Sequence, residues 1–309
     1  MRLILSLLML LSLTSCGSAQ GLSLELLPVA RFDSRLSETS GLIRWQQGFI
    51  SHNDSGNAPE LFVLNDKGKI SARLTVPTKN HDWEDIAAQG NTLYLADTGN
   101  NSGQRRELKI LVLKLAQDTL SLASILPVAY AEQTNFQPPR HQHNFDAEAL
   151  TKVDDELWLF TKRWLDQETA IYKLSTHQGA MNAVRATEPT PLQAQQQLNT
   201  QMLVTGADFD DQTKTLMLLG YSRSWFNRHA WIWLYPVHEG RVLEHLGRKL
   251  MLSENGQFEG ISLADDGFIY VTREGRGTNL FRSQQTLATL MAKEPSLNNA
   301  TLDNAKTQQ

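Results

Sequence analysis

Short apolar runs of four or five residues, separated by clusters of Asp, Asn, Gly and Lys, follow one another along nearly the whole chain, and apolar residues almost nowhere recur at helical spacing. The stretch Phe145-Asp146-Ala147-Glu148-Ala149-Leu150 reads as a strand, residues 153–156 as an acidic turn, and Leu157-Trp158-Leu159-Phe160 as a second strand. With Glu148 set over Leu157, nine positions on, the same spacing aligns Ser40 with Phe49, Glu84 with Leu93, Ala207 with Leu216 and Glu259 with Phe268. A small or acidic residue and then an apolar one follow each first column: Gly41-Leu42, Asp85-Ile86, Ala149-Leu150, Asp208-Phe209, Gly260-Ile261.

Five copies starting roughly 45 to 65 residues apart fit a radial repeat. Short strands bounded by turn residues make that repeat an all-β β-propeller of four-stranded blades. The direct count gives five blades, or six if an insert hides a degenerate copy. The fifth repeat, residues 258–282, lacks an outer strand of its own, so residues 24–32, confined to a sheet edge by Pro28, are expected to close the ring as an N-terminal strand. Two polar inserts, residues 132–144 and the glutamine-rich 189–200, read as rim loops. The expected organisation is a signal peptide at 1–15, a tether at 16–23, the propeller at 24–285 and a polar tail at 286–309.

The signal-peptide reading rests on Arg2 followed by an apolar run over residues 3–13. As a helix that run spans about 16 Å, half of a hydrocarbon core of roughly 30 Å, so it directs export and does not span a membrane. Its end, Leu13-Thr14-Ser15-Cys16-Gly17, resembles the lipobox of bacterial lipoproteins, and Cys16 is the only cysteine. The resemblance implies lipidation of Cys16, anchorage in the cell envelope and, in a Gram-negative cell, the outer membrane. A lone cysteine excludes an internal disulfide. Net charge is −4, about −5 once Arg2 is removed, which leaves no electrostatic footprint for nucleic acid.

Inner strands of a propeller line its channel, so equivalent positions form rings. The anchor ring reads Ser40, Glu84, Glu148, Ala207, Glu259, and the ring two residues earlier Glu38, Asp82, Asp146, Thr205, Gln257. Positions two apart share a strand face, so six carboxylates are expected at one mouth. Like charges packed together either hold protons or take a cation, and carboxylates suit hard divalent ions. Glu84, Glu148 and Glu259 are therefore candidate ligands for Ca²⁺ or Mg²⁺. The alternative is neutralisation by Lys162, Arg163, Arg223 or Arg273, or hydrogen bonds from backbone amides that pin the blades together. The second strands end in a further polar set, including Asn53, Asp54, Asp97, Lys162, Arg163, Tyr221, Arg223, Arg273 and Glu274; from this set and the earlier ring, Glu38, Asn53, Asp82, Asp97, Arg163 and Arg223 are the candidate ligand-binding residues.

Asp97-Thr98-Gly99 has the letters of an aspartic-protease motif, but the repeat already accounts for Asp97 and no partner copy exists. His141 and His143 stand at alternating spacing in the first insert, where solvated loop histidines are the commoner case. Phosphate loops, dinucleotide fingerprints and nucleophile elbows are absent from the sequence, so no organic cofactor is expected.

The motifs Ser40-Gly41-Leu42, Trp83-Glu84-Asp85-Ile86-Ala87, Asp146-Ala147-Glu148-Ala149-Leu150 and Phe258-Glu259-Gly260-Ile261-Ser262, each followed by a strand such as Leu93-Tyr94-Leu95-Ala96-Asp97, resemble the phytase-like or esterase-like propellers. They are also similar to the SdiA-regulated type within the gluconolactonase-like superfamily. The resemblance implies a site over the channel and a divalent metal. Two functions follow as expectations: binding of a small-molecule ligand or a protein partner at the mouth, or metal-dependent hydrolysis of an ester, lactone or phosphoester. In the second, Glu84, Glu148 and Glu259 hold the ion, His81 or Asp146 acts as base, and Lys162 or Arg273 stabilises the developing charge.

Overall fold

The computed structural model describes residues 22–176, 190–224 and 226–292; the signal peptide, Cys16 and most of the expected tail lie outside them. Five sheets, each built on an antiparallel meander, account for nearly all the described chain. After β1 (Ser23–Leu24) and β2 (Leu26–Ala30), blade one comprises β3 (Thr39–Trp45), β4 (Gly48–Asn53), β5 (Glu60–Leu64) and β6 (Ile70–Thr75). Blade two comprises β7 (Ile86–Gln89), β8 (Thr92–Asp97), β9 (Leu108–Ala116) and β10 (Thr119–Val128). Blade three runs through β11 (Ala147–Val153), β12 (Glu156–Thr161), β13 (Thr169–Ser175) and β14 (Gln196–Leu198). Blade four holds β15 (Leu203–Asp210), β16 (Thr215–Tyr221), β17 (Ala230–His238), the short β18 (Arg241–Val242) and β19 (Arg248–Leu252). In blade five β20 (Phe258–Leu263), β21 (Phe268–Arg273) and β22 (Leu280–Thr286) are completed by β2. The chain forms a five-bladed β-propeller, and no sixth blade stands among the described residues.

The ring closes as the sequence suggests, with a refinement. β2 pairs antiparallel with β22, Leu26 facing Ser283, while β1 adds in parallel to β19 of blade four. The N-terminal segment thus latches two blades. The fold also extends past the expected boundary at 285: α1 (Leu287–Ala292) buries Leu287 and Leu290 in the core between blades four and five.

Apolar side chains form five cores, one at each blade interface, with no single central one. This explains why strands read as continuous apolar runs rather than strict alternation: both faces of a blade are buried. In β12, Leu157 and Leu159 enter the core shared with blade two, and Trp158 and Phe160 the core shared with blade four.

The inner strands β3, β7, β11, β15 and β20 pack side by side around the channel. Four of them shift register near the mouth, between Thr39 and Leu42, Ala147 and Ala149, Val204 and Gly206, and Phe258 and Gly260. A bulge re-aims the residue it carries, and these bulges carry Ser40, Glu148, Thr205 and Glu259. Thr205, not Ala207, is therefore the anchor residue of blade four. The β15–β16 hairpin joins Asp210 to Thr215 where blade three joins Val153 to Glu156, and the two extra turn residues displace the nine-residue spacing. Thr205 also repeats the role of Ser40: its Oγ1 donates to Phe258 O at 2.6 Å, as Ser40 Oγ does to Glu84 O at 2.5 Å, each tying its blade to the next.

The position after the anchor then reads Gly41, Asp85, Ala149, Gly206, Gly260. Four small residues leave a hollow that one carboxylate fills. Asp85 Oδ1 accepts Ile86 N at 2.8 Å, and Oδ2 accepts Leu150 N of blade three at 2.8 Å and Ala207 N of blade four at 3.3 Å. A Cβ on Gly41 would lie 2.8 Å from Asp85 Oδ1. Asp85 plugs the channel just beneath the mouth, fully buried, and burial pushes its carboxyl well above the usual range against those three amide bonds.

Candidate functional site

The channel mouth collects Asp54 from blade one, Asp82 and Glu84 from blade two, Asp146, Glu148 and Lys162 from blade three, and Glu259 and Glu274 from blade five. Glu84, Asp146, Glu148, Lys162 and Glu259 are buried, and Asp54, Asp82 and Glu274 are half-buried. Lys162 Nζ lies 2.6 Å from Glu148 Oε2 and over the rings of Trp164 and Tyr221, at 5.0 and 5.2 Å from their centroids. Burial opposes the Lys162 charge, but Glu148, Tyr221, Glu259 and Asp146 outweigh it and hold the ammonium well above its ordinary pKa.

One lysine does not balance this many carboxylates. Burial, reinforced by Glu148, Asp54, Asp82 and Asp146, drives Glu84 well above the usual carboxyl range. Burial with Asp54 and Asp146 lifts Asp82 to about 6. Burial lifts Glu259 to about 7 although Lys162 draws it down, and burial with Glu259 and Asp54 lifts Glu274 to about 9.

Two overlapping groups bring one oxygen per residue within 4.8 Å of one another: Asp54 with Asp82 and Glu84, and Glu84 with Asp146 and Glu148. This buried acidic cluster can hold a metal ion. Within the second group the donors are largely spent, since Asp146 accepts Asn100 N at 2.5 Å and Trp164 Nε1 at 2.8 Å, and Glu148 is tied to Lys162. In the first group Glu84 is 5% exposed, and its carboxylate takes no hydrogen bond among the described residues. Its space is made by Gly99, where a Cβ would stand 1.9 Å from Glu84 Oε1 and 2.5 Å from Asp82 Cγ. All three residues of that group offer oxygen, the donor set of Ca²⁺ or Mg²⁺.

The sequence-derived candidates separate accordingly. Glu84, Glu148 and Glu259 meet at the hub, but Glu259 belongs to neither oxygen group. Glu38 is exposed at the rim, where its carboxylate accepts Asn57 Nδ2 at 2.6 Å, and His81 is exposed beside Asp82. Asn53 is a fastener, accepting Glu38 N at 3.2 Å and donating to Arg35 O at 2.7 Å. Asp97, fully buried, is ion-paired with Arg105 at 2.8 Å and Lys109 at 2.9 Å. Arg273 turns away from the hub, bonding Glu254 at 3.1 Å and Thr278 O at 3.2 Å and covering the Phe281 ring. Arg163 grips Asp166, and Arg223 donates to Trp164 O at 2.9 Å. His141 stacks on Trp164 with centroids 3.9 Å apart, and both it and His143 bond Asn101, so the pair fastens the insert and does not converge on a metal.

Asp54 and Glu274, absent from the candidate set, each stand one residue after a candidate, Asn53 and Arg273, that proves structural. The signal that could have found them is their shared position: both follow the end of a second strand. Beside them a cavity of about 640 Å³ opens between blades five and one, lined by Glu38, Glu274, Gln257, Arg228, Arg276 and Arg31 among others.

No protein-family profile and no curated protein matches the chain. Among solved structures, a glucose dehydrogenase aligns with a TM-score of 0.49 at 8% identity over 84% of this chain and 99% of its own. A hypothetical protein from Leishmania major aligns at 0.46 and 12% identity over 86% and 90%. The Kuenenia stuttgartiensis hydrazine synthase aligns at 0.42 and 13% identity over 83% of this chain, which spans 58% of that enzyme's length. At these scores the likenesses add nothing to the fold read from the strand pairing.

Proposed function

We propose that the chain is an exported lipoprotein, anchored through Cys16 in the cell envelope and, in a Gram-negative cell, at the outer membrane, whose channel mouth binds a small-molecule ligand or protein partner with the help of a divalent cation. The observation that carries the cation is Glu84: a carboxylate with no hydrogen-bond donor among the described residues, in a glycine-made niche, with oxygens of Asp54 and Asp82 within 4.8 Å. The cavity of about 640 Å³ alongside is of the size that encloses small ligands. The motif resemblance to phytase-like and SdiA-regulated propellers agrees with this reading.

The second reading, hydrolysis of an ester, lactone or phosphoester, draws on Asp82 and Lys162. An ion at the Asp54–Asp82–Glu84 group would supply Lewis-acid polarisation of a bound oxygen. Asp82 would be one ligand of that ion, and His81, exposed beside it, is the candidate base. Lys162 is held charged where negative charge would develop. Arg273 has no part in this reading, because its donors are engaged elsewhere.

Calorimetric titration of the purified chain with Ca²⁺ and with Mg²⁺, on wild type and Glu84→Gln, tests the cation. Saturable binding weakened by at least about tenfold in the variant is expected, the loss of a ligand with formal charge. Identical isotherms would remove Glu84 from the site. Turnover of ester, lactone and phosphoester substrates by wild type, lost in Asp82→Asn, would decide for the second reading.

A further inference from the structure

The two inserts of the rim meet outside the mouth. Tyr130 bridges to Leu192 in parallel, with Ala131 N to Leu192 O and Leu192 N to Ala129 O both at 2.8 Å. The Tyr130 ring packs on Phe145 and Tyr172, with centroids 5.6 and 4.7 Å apart. Together the inserts and the loop after β12 enclose a cavity of about 380 Å³ on the side of blade three, beyond the Trp164–His141 stack from the acidic mouth.

The charges of this cavity are internally settled. Glu132 accepts Tyr172 Oη at 3.2 Å and Ala194 N at 3.1 Å, and Arg163 is paired with Asp166 at 2.5 Å. Both nitrogens of His143 are engaged, with Phe145 N and Asn101 O. Neither an anion nor a cation would find an uncompensated partner here. What remains is an apolar floor of Phe145, Pro138 and Leu165, the last 59% exposed, and a fringe of amides. Among the described residues Asn135 spends only its oxygen, on Gln137 N, Gln197 spends only its nitrogen, on Glu168, and the Gln142 side chain makes no hydrogen bond.

An amide presents a donor and an acceptor side by side, matching hydroxyls that both give and take hydrogen bonds. An apolar floor suits the C–H face of a ring. We propose that this annexe binds a neutral saccharide. The site is independent of the cation at the mouth.

The test uses the full chain in chelator, with maltotriose, cellotriose and the trimer of N-acetylglucosamine as probes, read by saturation-transfer NMR and calorimetry. At least one trisaccharide is expected to bind, Leu165→Arg to weaken it by about tenfold or more by filling the cavity, and Gln142→Ala to weaken it less, with melting temperatures unchanged for both exposed positions. No transfer from any of the three at about 10 mM, well above the Kd of a weak site, would overturn the proposal. So would affinity unchanged in both variants, or binding that requires added Ca²⁺ or Mg²⁺, which would place the sugar at the mouth instead.

Discussion

Lys162 Nζ and Glu148 Oε2 stand 2.6 Å apart with both side chains buried, at the point where the inner strands of the propeller converge. Removing one member of such a pair strands the other charge in a low dielectric, which costs about 3–5 kcal/mol. Lys162→Met is expected to destabilise by that amount in urea unfolding, and Lys162→Met with Glu148→Gln by clearly less. Additive losses in the double-mutant cycle would show that the pair is not coupled.

The acidic mouth sets a pH dependence whose sign is fixed by the direction of its shifts. Asp82 at about 6, Glu259 at about 7 and Glu274 at about 9 are all raised above their ordinary 3.8 or 4.5, in each case chiefly by burial. Between the two values the folded state holds protons that the unfolded state has released, so stability falls as pH rises. The contribution is complete below about 4 and lost through the range from about 6 to about 9. In chelator the melting temperature is expected to decline from pH 5 to pH 9, and saturating Ca²⁺ or Mg²⁺ to flatten that decline. A profile in chelator that rises over this interval would contradict it.

Gly99→Ala probes the niche without touching a ligand. Its backbone is not in the left-handed region, so the only obstacle is the Cβ, which would stand 1.9 Å from Glu84 Oε1. The carboxylates of Glu84 and Asp82 must move, and cation affinity is expected to drop by about tenfold or more while the circular dichroism stays that of wild type. Unaltered affinity would place the ion elsewhere.

Asp85 performs a different task from its neighbour Glu84. Its carboxylate serves three amides in three blades, and Asp85→Ala leaves them buried without an acceptor, at about 1–3 kcal/mol for each that water cannot reach. A loss of several kcal/mol is expected in chemical denaturation, far more than from Glu84→Gln. Equal effects of the two substitutions would deny that the roles are divided.

The repeat was legible in the sequence because the first hairpins of blades one to three obey a local rule, an apolar run, a two-residue turn and another run, and that of blade five departs from it only slightly. Where that rule is broken, the reading slipped. The longer β15–β16 turn moved the anchor from Thr205 to Ala207, and no letter in the segment marks a bulge. The hub carboxylates were legible as a ring, but which oxygens share a coordination sphere depends on how far each bulge turns its residue and on where Lys162 reaches. Asn53 and Arg273 were plausible by type and position, and only the partners of their side chains reveal them as fasteners. Asp85 was visible as one of a column, yet its span to Ala207 of blade four is a tertiary fact without a sequence trace.

The latch made by β1 and β2 has a consequence for the order in which the molecule can be assembled. Leu26 is among the earliest fold residues to leave the ribosome, while its partner Ser283 follows 257 positions later. Closing a loop of that length costs more entropy than any pairing within a blade, so four blades can form while the wheel still lacks its final spoke. The opening segment must therefore wait unpaired, and the commitment step of folding belongs to the far end of the chain.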